Sequence, residues 1–234
     1  SNIGKPKCQL WHQKNKAESK APYEPHFLIN MIIGDIVEAV FKGLLTSAGI
    51  VFDDNDTVSL DLGELGHIKG EYDMILDGAV DDVKSASNYS FNTRFSSFEK
   101  LIEKDTFGYI PQLVGYGVAA NKEIGGFWVI NKENGSFKYV NINAVDKESV
   151  LEKIKETVSY IQEDKPFERC FEPVPEYHNR QPSGNMKLGE TCRWCNFKSV
   201  CWENLQTLPS RVSKARVLPM VDYVLINDNK ETVI

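Results

Sequence analysis

Residues 70–84 read GEYDMILDGAVDDVK, and this stretch determines how the middle of the chain folds. Two runs of β-type residues meet at Asp77-Gly78, a pair typical of a type I′ hairpin turn, which needs a positive φ at both central positions. If these two residues form the turn, Asp73 lies opposite Asp82. Directly opposed carboxylates repel one another. The stretch therefore predicts a hairpin with a cationic group between Asp73 and Asp82.

The same register places Glu71 opposite Lys84. Around the hairpin, alternating and β-branched residues predict strands over 57–62, 67–76 and 79–86. Further along, the patterns predict helices over 96–105, 109–121 and 147–163, a hairpin-like pair at 126–131 and 137–142, and a strand over 221–226. The proline-rich segment 166–182 is expected to be irregular.

The composition is that of an ordinary globular protein. The chain has 234 residues, of which 41% are hydrophobic, so it can form one large domain or two small ones around a real core. Its most apolar stretch, residues 27–45, is interrupted by polar and charged residues. We therefore expect neither a transmembrane segment nor a signal peptide.

Charge is unevenly distributed along the chain. The net charge of −6 alone argues against a nucleic-acid partner. However, residues 1–20 carry five lysines against Glu18, and residues 187–216 carry six lysines and arginines against two glutamates. Acidic residues concentrate between positions 35 and 82. An acidic metal site between two basic ends suits a protein that handles phosphodiesters, and solvated lysine faces are the alternative.

A long helix is predicted over residues 27–48 from apolar residues at helical spacing. Glu38 falls near Phe41 and Leu45 on the helical wheel, beside the apolar stripe. It is either an ordinary boundary glutamate or a partly buried carboxylate that needs a partner, and a metal ion would be such a partner.

A second helical motif is Gln112-Leu113-Val114-Gly115-Tyr116. Gln112 and Tyr116 are four residues apart, so they lie on one helix face, where both side chains would reach a phosphate or a base. The spacing also occurs often by chance.

The cysteines form the strongest metal-binding pattern. Cys192, Cys195 and Cys201 have the spacing C-x2-C-x5-C in a polar segment, which favours metal ligation over core packing or disulfides. Three thiolates need a fourth ligand, which is either Cys8 or Cys170. Four thiolates suit zinc and a four-iron four-sulfur (4Fe-4S) cluster equally well.

Together these residues resemble the RecB-like branch of the PD-(D/E)xK nuclease superfamily, specifically its iron-sulfur members, which include the CRISPR-associated Cas-four exonucleases and related phage nucleases. The matching motifs occur in the family's order, namely Cys8-Gln9-Leu10-Trp11, Gly34 to Glu38, Asp73, Asp82-Val83-Lys84, Gln112 to Tyr116, and Cys192, Cys195 and Cys201. Many members carry histidine where this chain has Glu38.

The resemblance implies an α/β fold, a restriction-endonuclease-like core with a mixed central sheet flanked by helices. In this interpretation the whole chain, 1–234, is one RecB-like nuclease domain. Residues 27–165 form the nuclease core, and residues 1–26 and 166–216 together form an iron-sulfur subdomain. Cys8 would be the fourth ligand of the cluster, because Cys170 has no counterpart in the family pattern.

The resemblance also implies a mechanism. Glu38, Asp73 and Asp82, with the backbone carbonyl of Val83, would hold one or two Mg²⁺ or Mn²⁺ ions, and the metal would activate a water and stabilise charge on the phosphoryl oxygens. Lys84 would orient that water or stabilise the developing charge.

The expected function is metal-dependent exonuclease activity on single-stranded DNA ends, in the 5′-to-3′ direction, with Gln112 and Tyr116 positioning the DNA. The alternatives are a structure-specific endonuclease and a catalytically weak DNA-end or partner-binding subunit with an architectural metal centre. The expected occupant of the cysteine site is a 4Fe-4S cluster, and zinc is the less favoured occupant. A P-loop is not found in the sequence, so unwinding would come from another protein of recombination, replication or CRISPR adaptation. The resemblance places the protein in the reducing cytoplasm, with a phage-encoded origin among the options.

Overall fold

The structure is a computed structural model that describes residues 4–227. Its α-helices are α1 (Lys7–Asn15), α2 (Pro25–Ser47), α3 (Asn88–Asn92), α4 (Phe98–Lys104), α5 (Tyr109–Ala120), α6 (Lys147–Gln162), α7 (Glu190–Arg193) and α8 (Lys198–Cys201). Its strands are β1 (Asp56–Asp61), β2 (His67–Tyr72), β3 (Met74–Leu76), β4 (Ala79–Ala86), β5 (Glu123–Asn131), β6 (Phe137–Asn141), β7 (Val174–His178), β8 (Gln181–Lys187), β9 (Gln206–Pro209) and β10 (Met220–Leu225). The chain is a mixed α/β protein with three small sheets flanked by helices.

The chain divides into two compact units. The core unit contains Tyr23–Lys165, and the terminal unit joins Lys7–Pro22 to the chain from Pro166 onward. The sequence-based boundaries were 27–165 for the core and 1–26 with 166–216 for the subdomain. The observed terminal unit differs from the predicted subdomain mainly because it extends past residue 216, where β10 pairs with both β8 and β9.

The central sheet of the core unit has the strand order β3-β4-β5-β6, with β4 and β5 parallel and the outer pairs antiparallel. The predicted turn is confirmed: Asp77 and Gly78 have φ angles of 50° and 82°, and Leu76 pairs with Ala79. The register continues to Met74 opposite Asp81. This sheet holds Asp82 and Lys84 in one strand, β4.

Beyond Met74 the predicted ladder is wrong. The chain bends at Asp73, and β2 pairs with β1 in a separate two-stranded sheet in which Glu71 lies opposite Thr57 rather than Lys84. The predicted strand over 67–76 is therefore two strands. The bend exists because the Asp73 carboxylate accepts the backbone N–H of Val83, so this side chain replaces the backbone in the next hydrogen bond of the hairpin.

Helix α2 begins at Pro25, where the missing N–H costs nothing, and ends before Gly49, which has a φ of 71°. Phe41 and Leu45 are its buried side chains, and they form an apolar cluster with Met74 and Val83. Half of the eight apolar residues predicted for the buried stripe are instead exposed, namely Ile29, Ile36, Val40 and Leu44.

Helix α5 supplies the centre of the main apolar cluster. Leu113 and Val114 are almost fully buried and belong to the same cluster as Val80, Phe127 and Val129 of the sheet. Because α5 connects towards β5, which runs parallel to β4, it packs across both strands. The predicted helices and strands of this region are confirmed within a few residues.

The terminal unit contains the sheet β7-β8-β10-β9. The expectation that 166–182 is irregular is wrong over its second half, where β7 and β8 form a hairpin. Its turn is Asn179-Arg180, with φ angles of 49° and 66°. Asn-Arg is not a typical turn pair, and positive φ at Arg180 is held by the pairing of the strands on either side.

No helix in residues 4–227 combines the length and the hydropathy required to cross a bilayer.

Candidate carboxylate and cysteine sites

Two adjacent carboxylates of β4 have different surroundings. Asp81 accepts three hydrogen bonds, from the Gly126 N–H at 2.8 Å, the Trp128 indole N–H at 2.9 Å and the Tyr139 hydroxyl at 2.8 Å. A Cβ on Gly125 would lie 2.0 Å from Asp81 Oδ1, so the approach requires glycine there. Burial raises the pKa of Asp81, against the effect of its donors. This saturated carboxylate fixes the sheet and is not available to a ligand.

Asp82 is also buried, with 3% of its surface exposed, but it lacks such donors. Lys84 Nζ forms an ion pair with Asp82 Oδ2, which makes no hydrogen bond of normal geometry. Burial raises the pKa of Asp82, and the charge of Glu38 raises it further, while Lys84 lowers it. A buried carboxylate with unused lone pairs is suited to binding a cation.

Asp73 lies at the open end of the same hairpin. Its Oδ2 accepts the Val83 N–H at 2.8 Å. Burial and the nearby charge of Asp82 raise the pKa of Asp73 to about 6, against the opposing effects of Lys84 and the Val83 N–H. The two carboxylates are thus close enough to repel, as the sequence predicted, although they are not a ladder pair.

Lys84 is the cationic group expected between them. Burial alone would lower its pKa, but Asp82 and Asp73 raise it above the ordinary lysine value. Its side chain is 20% exposed, and its ammonium is paired with Asp82. It also lies 5.0 Å from the centre of the Tyr109 ring, a cation–π distance.

Glu38 is held by a second lysine that the sequence analysis did not single out. Lys42 Nζ lies 2.7 Å from Glu38 Oε1 and 2.8 Å from Asp54 Oδ1. Burial lowers the pKa of Lys42, but hydrogen bonds to Asp54 and Glu38 raise it to above its ordinary value. The positive charge of Lys42 also lowers the pKa of Asp73. The i,i+4 spacing of Glu38 and Lys42 was visible in the sequence and is the signal that would have found this pair.

Within residues 4–227, no three His, Cys, Asp or Glu side chains come close enough together to hold one ion. At the carboxylate site, two carboxylates are each paired with a lysine. Lys42 holds Glu38, and Lys84 holds Asp82. The structure therefore brings Asp73, Asp82 and Lys84 together and keeps Glu38 beside them in an ion pair.

Tyr109 is a further residue at this site that the sequence analysis missed. It is the first residue of α5 and stands three positions before Gln112, so the two share a helix face. Burial raises the pKa of Tyr109, and the charges of Lys84 and Arg94 lower it, which places both cations near its ring.

Gln112 and Tyr116 contact each other. The Gln112 amide donates to the Tyr116 hydroxyl at 2.9 Å. Tyr116 is only 4% exposed and belongs to the main apolar cluster, whereas Gln112 is partly exposed. In this arrangement Gln112 is the member of the pair that is open to a ligand, and Tyr116 orients it.

The cysteine site lies within the terminal unit, where α1 and the segments around Cys170 and Cys192–Cys201 come together. All five cysteines are partly buried, and none of them forms a disulfide. The Cys8 N–H donates to Cys170 Sγ at 3.1 Å, and the Phe197 N–H lies 3.5 Å from Cys195 Sγ. Backbone N–H groups directed at sulfur stabilise thiolates. Cys170, set aside by the sequence analysis, is thus in contact with the predicted ligand Cys8.

The pKa shifts show which thiols influence one another. The thiol of Cys8 hydrogen-bonds to Cys170, which raises the pKa of Cys8 and lowers that of Cys170 to about 7. Burial, followed by the charges of Cys195, Cys201 and Cys170, raises the pKa of Cys192 to about 11. Each of the five thiols therefore interacts electrostatically with at least one other, although no three of them in the described residues come close enough together to hold one ion.

Arg169 lies beside these thiols. Its guanidinium donates to the Cys201 carbonyl from Nε and one terminal nitrogen at 3.0 and 2.9 Å, and it stacks 4.5 Å from the Trp202 ring centre. Burial raises the pKa of Cys201, while Arg169 lowers it. This cation offsets part of the negative charge that several thiolates would create.

Comparison with known proteins identifies a similar fold. Protein-family models give no match, and neither do curated proteins. Among solved structures, that of SSO0001 is similar over 86% of this chain and 83% of that chain, with a TM-score of 0.50 and 15% sequence identity. At this identity the similarity is one of fold, and function must be argued from the sites themselves.

Proposed function

We propose that the protein is a metal-dependent deoxyribonuclease that hydrolyses phosphodiester bonds at single-stranded DNA ends, in the 5′-to-3′ direction. The observation that carries the proposal is the proximity of Asp73 and Asp82, both with raised pKa values, to each other and to the partly exposed side chain of Lys84. A structural salt bridge needs one carboxylate per lysine. Two carboxylates with raised pKa values beside one lysine suit the binding of a cation and a phosphate better.

The residues fit a hard divalent cation. Asp82 Oδ2 is buried without a normal hydrogen bond, and Asp73 has an oxygen other than the one engaged by Val83. Carboxylates with backbone carbonyls and water are the ligands that Mg²⁺ and Mn²⁺ prefer. Asp73 and Asp82 would hold the ion with the Val83 carbonyl, and Glu38 would join when Lys42 releases it.

A divalent ion, when bound, lowers the pKa of a water and offsets charge on phosphoryl oxygens. Lys84 would turn its ammonium from Asp82 towards a phosphoryl oxygen or the attacking water. Tyr109 would limit the directions open to that ammonium by covering one side of it. Gln112 would contact the DNA, with Tyr116 fixing its amide.

The terminal unit is proposed to hold a structural 4Fe-4S cluster through Cys8, Cys192, Cys195 and Cys201. The chemistry of the donors fits, because the thiols are partly buried and are approached by N–H donors and by Arg169. In the described residues no three of them converge on one point, so binding of the cluster would draw them together. Zinc is the alternative occupant. Five cysteines without a disulfide among them suit the reducing cytoplasm. Proteins of recombination, replication or CRISPR adaptation are the proposed partners.

The test is digestion of single strands labelled at either end, and of circular single strands, with Mg²⁺ and Mn²⁺ compared. We expect release of label from the 5′ end first and no cleavage of circles. Lys84→Ala and Asp82→Asn are expected to reduce the rate by at least about a hundredfold. Asp77→Asn is the matched control, since it removes a carboxylate from the same hairpin at a turn position where Asn is also favoured. Cleavage that is unchanged in Lys84→Ala contradicts this active site, and cleavage of circles indicates an endonuclease.

One observation favours a second candidate, a DNA-end or partner-binding subunit with weak catalysis. Lys42 and Lys84 already neutralise carboxylates that an ion would need. A protein that binds labelled ends tightly, binds no Mn²⁺ and cleaves no strand would be of this kind.

A further inference from the structure

Cys170 is the cysteine to which the proposed cluster gives no role. It belongs to the terminal unit and lies in residues 166–173, which precede β7 and form neither helix nor strand. The residues on either side of it, Arg169 and Phe171, are exposed, so this segment runs along the surface of the unit. Cys170 is itself only partly buried. Packing in a core therefore does not explain this thiol.

The sulfur of Cys170 lies against the first turn of α1. The Cys8 N–H donates to Cys170 Sγ at 3.1 Å, and the Cys8 thiol hydrogen-bonds to the same sulfur. Cys8 is the second residue of α1, where backbone N–H groups have no partner within the helix. The Cys170 side chain thus caps the helix and brings its own sulfur next to that of Cys8.

Further contacts hold α1 against the segment that carries Cys170. Before Cys8, Lys7 Nζ lies 2.9 Å from Glu168 Oε2. After Cys8, the rings of Trp11 and His12 pack against Phe167, with ring centres 5.2 and 4.4 Å apart. Contacts on both sides of Cys8 therefore keep the two sulfurs close together.

The other three thiols are arranged differently. Among the charges that raise the pKa of Cys192, those of Cys195 and Cys201 act more strongly than that of Cys170. In the part of the chain that the structure describes, no three cysteines come close enough together to share one ion. The cysteines therefore divide into a pair, Cys8 with Cys170, and a triplet.

We propose that Cys8 and Cys170 form a reversible disulfide when the protein meets a hydroperoxide. The bond goes beyond the nuclease function and does not depend on it. Its consequence rests on the proposed cluster: the Cys8 sulfur, once bonded to Cys170, is lost as a cluster ligand. The pair would thus determine whether the cysteine site can be loaded. Disulfides that form in the cytoplasm are usually transient and serve catalysis or redox sensing.

The chemistry begins at Cys170, because its sulfur accepts both hydrogen bonds from Cys8 and is the better nucleophile of the two. Cys170 releases its proton, its sulfur attacks a peroxide oxygen, and the O–O bond breaks. The departing oxygen takes the released proton, and Cys170 becomes a sulfenic acid. The Cys8 sulfur then attacks the sulfenic sulfur, and hydroxide leaves with the Cys8 proton as water. Each sulfur has given one electron to the peroxide, and a dithiol reverses the reaction.

The test is tryptic peptide mapping of the full chain after treatment with hydrogen peroxide in EDTA. Each of the five cysteines lies on a different tryptic peptide, since trypsin cuts after Lys7, Arg169, Lys187, Arg193 and Lys198. We expect the link between peptides 8–14 and 170–180 to be at least about tenfold more abundant than any other, because the two sulfurs are held together. Dithiothreitol should remove it.

The unfolded chain is the first control. Cys8 and Cys170 are 162 positions apart in the sequence, whereas Cys192 and Cys195 are separated by only two residues. Loop closure therefore favours the Cys192–Cys195 pair in guanidinium chloride. We expect that pair to replace the Cys8–Cys170 link when the chain is oxidised in the unfolded state.

Cys170→Ser and Cys192→Ser are the matched variants, because each replaces one partly buried thiol by a hydroxyl. We expect Cys170→Ser to slow the loss of the Cys8 thiol to peroxide at least about tenfold, measured by alkylation with iodoacetamide. Cys192→Ser should leave the rate within about twofold and retain the Cys8–Cys170 link. The link is measured in the unaltered chain, so the main result does not depend on how the variants fold.

A folded chain in which Cys8 links to Cys192, Cys195 or Cys201 as often as to Cys170 overturns the proposal. So does a chain in which peroxide produces no disulfide at Cys8.

The consequence for the cysteine site is measured with Co²⁺, whose thiolate complexes absorb visible light. We expect the oxidised chain to bind Co²⁺ at least about tenfold more weakly than the reduced chain, because a thiolate ligand is lost. Equal binding in the two states contradicts this consequence. A reduced chain that binds no Co²⁺ contradicts the proposed metal centre, and peptide mapping still decides the disulfide, so the two failures are distinguishable.

Discussion

The carboxylate of Asp73 accepts the backbone N–H of Val83 at 2.8 Å, across the open end of the β3–β4 hairpin. This bond fixes the carboxylate beside Asp82 in a partly buried position. Burial and the charge of Asp82 there raise the free-energy cost of ionising Asp73, although the bond itself favours the charged form. It also interrupts the strand pairing that the alternating sequence would otherwise continue. The same contact thus ends one element and forms the candidate site.

The free energy of unfolding should depend on pH, because ionising Asp73 is unfavourable in the folded chain. The pKa of Asp73 is raised to about 6, so the folded state holds its proton more tightly than the unfolded state, and stability falls as the pH rises from about 4 to 6. Asp73→Asn keeps an acceptor for the Val83 N–H and removes the charge. We expect it to stabilise the metal-free protein by about 1–3 kcal/mol at pH 7 and to have little effect near pH 4. Urea unfolding in EDTA at both pH values measures this.

The control is Asp77→Asn, an exposed change in the same hairpin that should shift the free energy of unfolding little at either pH. A destabilised Asp73→Asn variant at pH 7 would show that the carboxylate is favourable in the folded chain, contrary to the raised pKa.

Asp81 is expected to be structural. Asp81→Asn places an NH₂ group among three donors, and we expect it to destabilise the protein by about 2–4 kcal/mol. Tyr139→Phe, which removes one of these donors, should cost about 1 kcal/mol. Thermal and urea unfolding measure both. If Asp81→Asn were as stable as the wild type yet inactive, Asp81 would belong to the reactive group.

Lys42 is expected to compete with divalent cations. It holds Glu38 and adds positive charge near Asp73. We expect Lys42→Met to raise the affinity for Mn²⁺ by about three- to tenfold, measured from the free Mn²⁺ signal in electron paramagnetic resonance. Lys42→Arg is the control, since it keeps the charge and both carboxylate partners. An unchanged or weaker affinity in Lys42→Met would show that Glu38 does not contribute to the ion site.

The cysteine series should identify the fourth ligand. After anaerobic purification, we expect Ser substitutions at Cys8, Cys192, Cys195 and Cys201 to remove bound iron and visible absorption, because each would delete a thiolate ligand. Cys170→Ser is the matched control and should retain both. The reverse result, with Cys170 required and Cys8 dispensable, would make Cys170 the ligand. Stoichiometric zinc without visible absorption would exclude the iron-sulfur cluster.

Local sequence signals predicted most of the elements. The turn at Asp77-Gly78 and the helices around Gln112 and residues 147–163 were recognisable because turn residues and hydrophobic periodicity act over a few neighbours. The proximity of Asp73, Asp82 and Lys84 followed from the same turn. The hairpin through Asn179-Arg180 was not recognisable, because its strained turn depends on the pairing of strands rather than on the turn residues.

Such short-range signals could not predict contacts between residues that are far apart in the sequence. The sequence by itself determined which groups are available near one another on β4: two aspartates, a lysine and the turn that brings Asp73 to them. Only the tertiary structure decided their roles. It saturated Asp81 with donors from β5 and β6, left Asp82 short of them, and brought Glu38 and Lys42 of α2 close to the hairpin carboxylates. The physical reason is that a carboxylate's behaviour depends on burial and on the donors around it, and these come from strands and helices far away in the sequence.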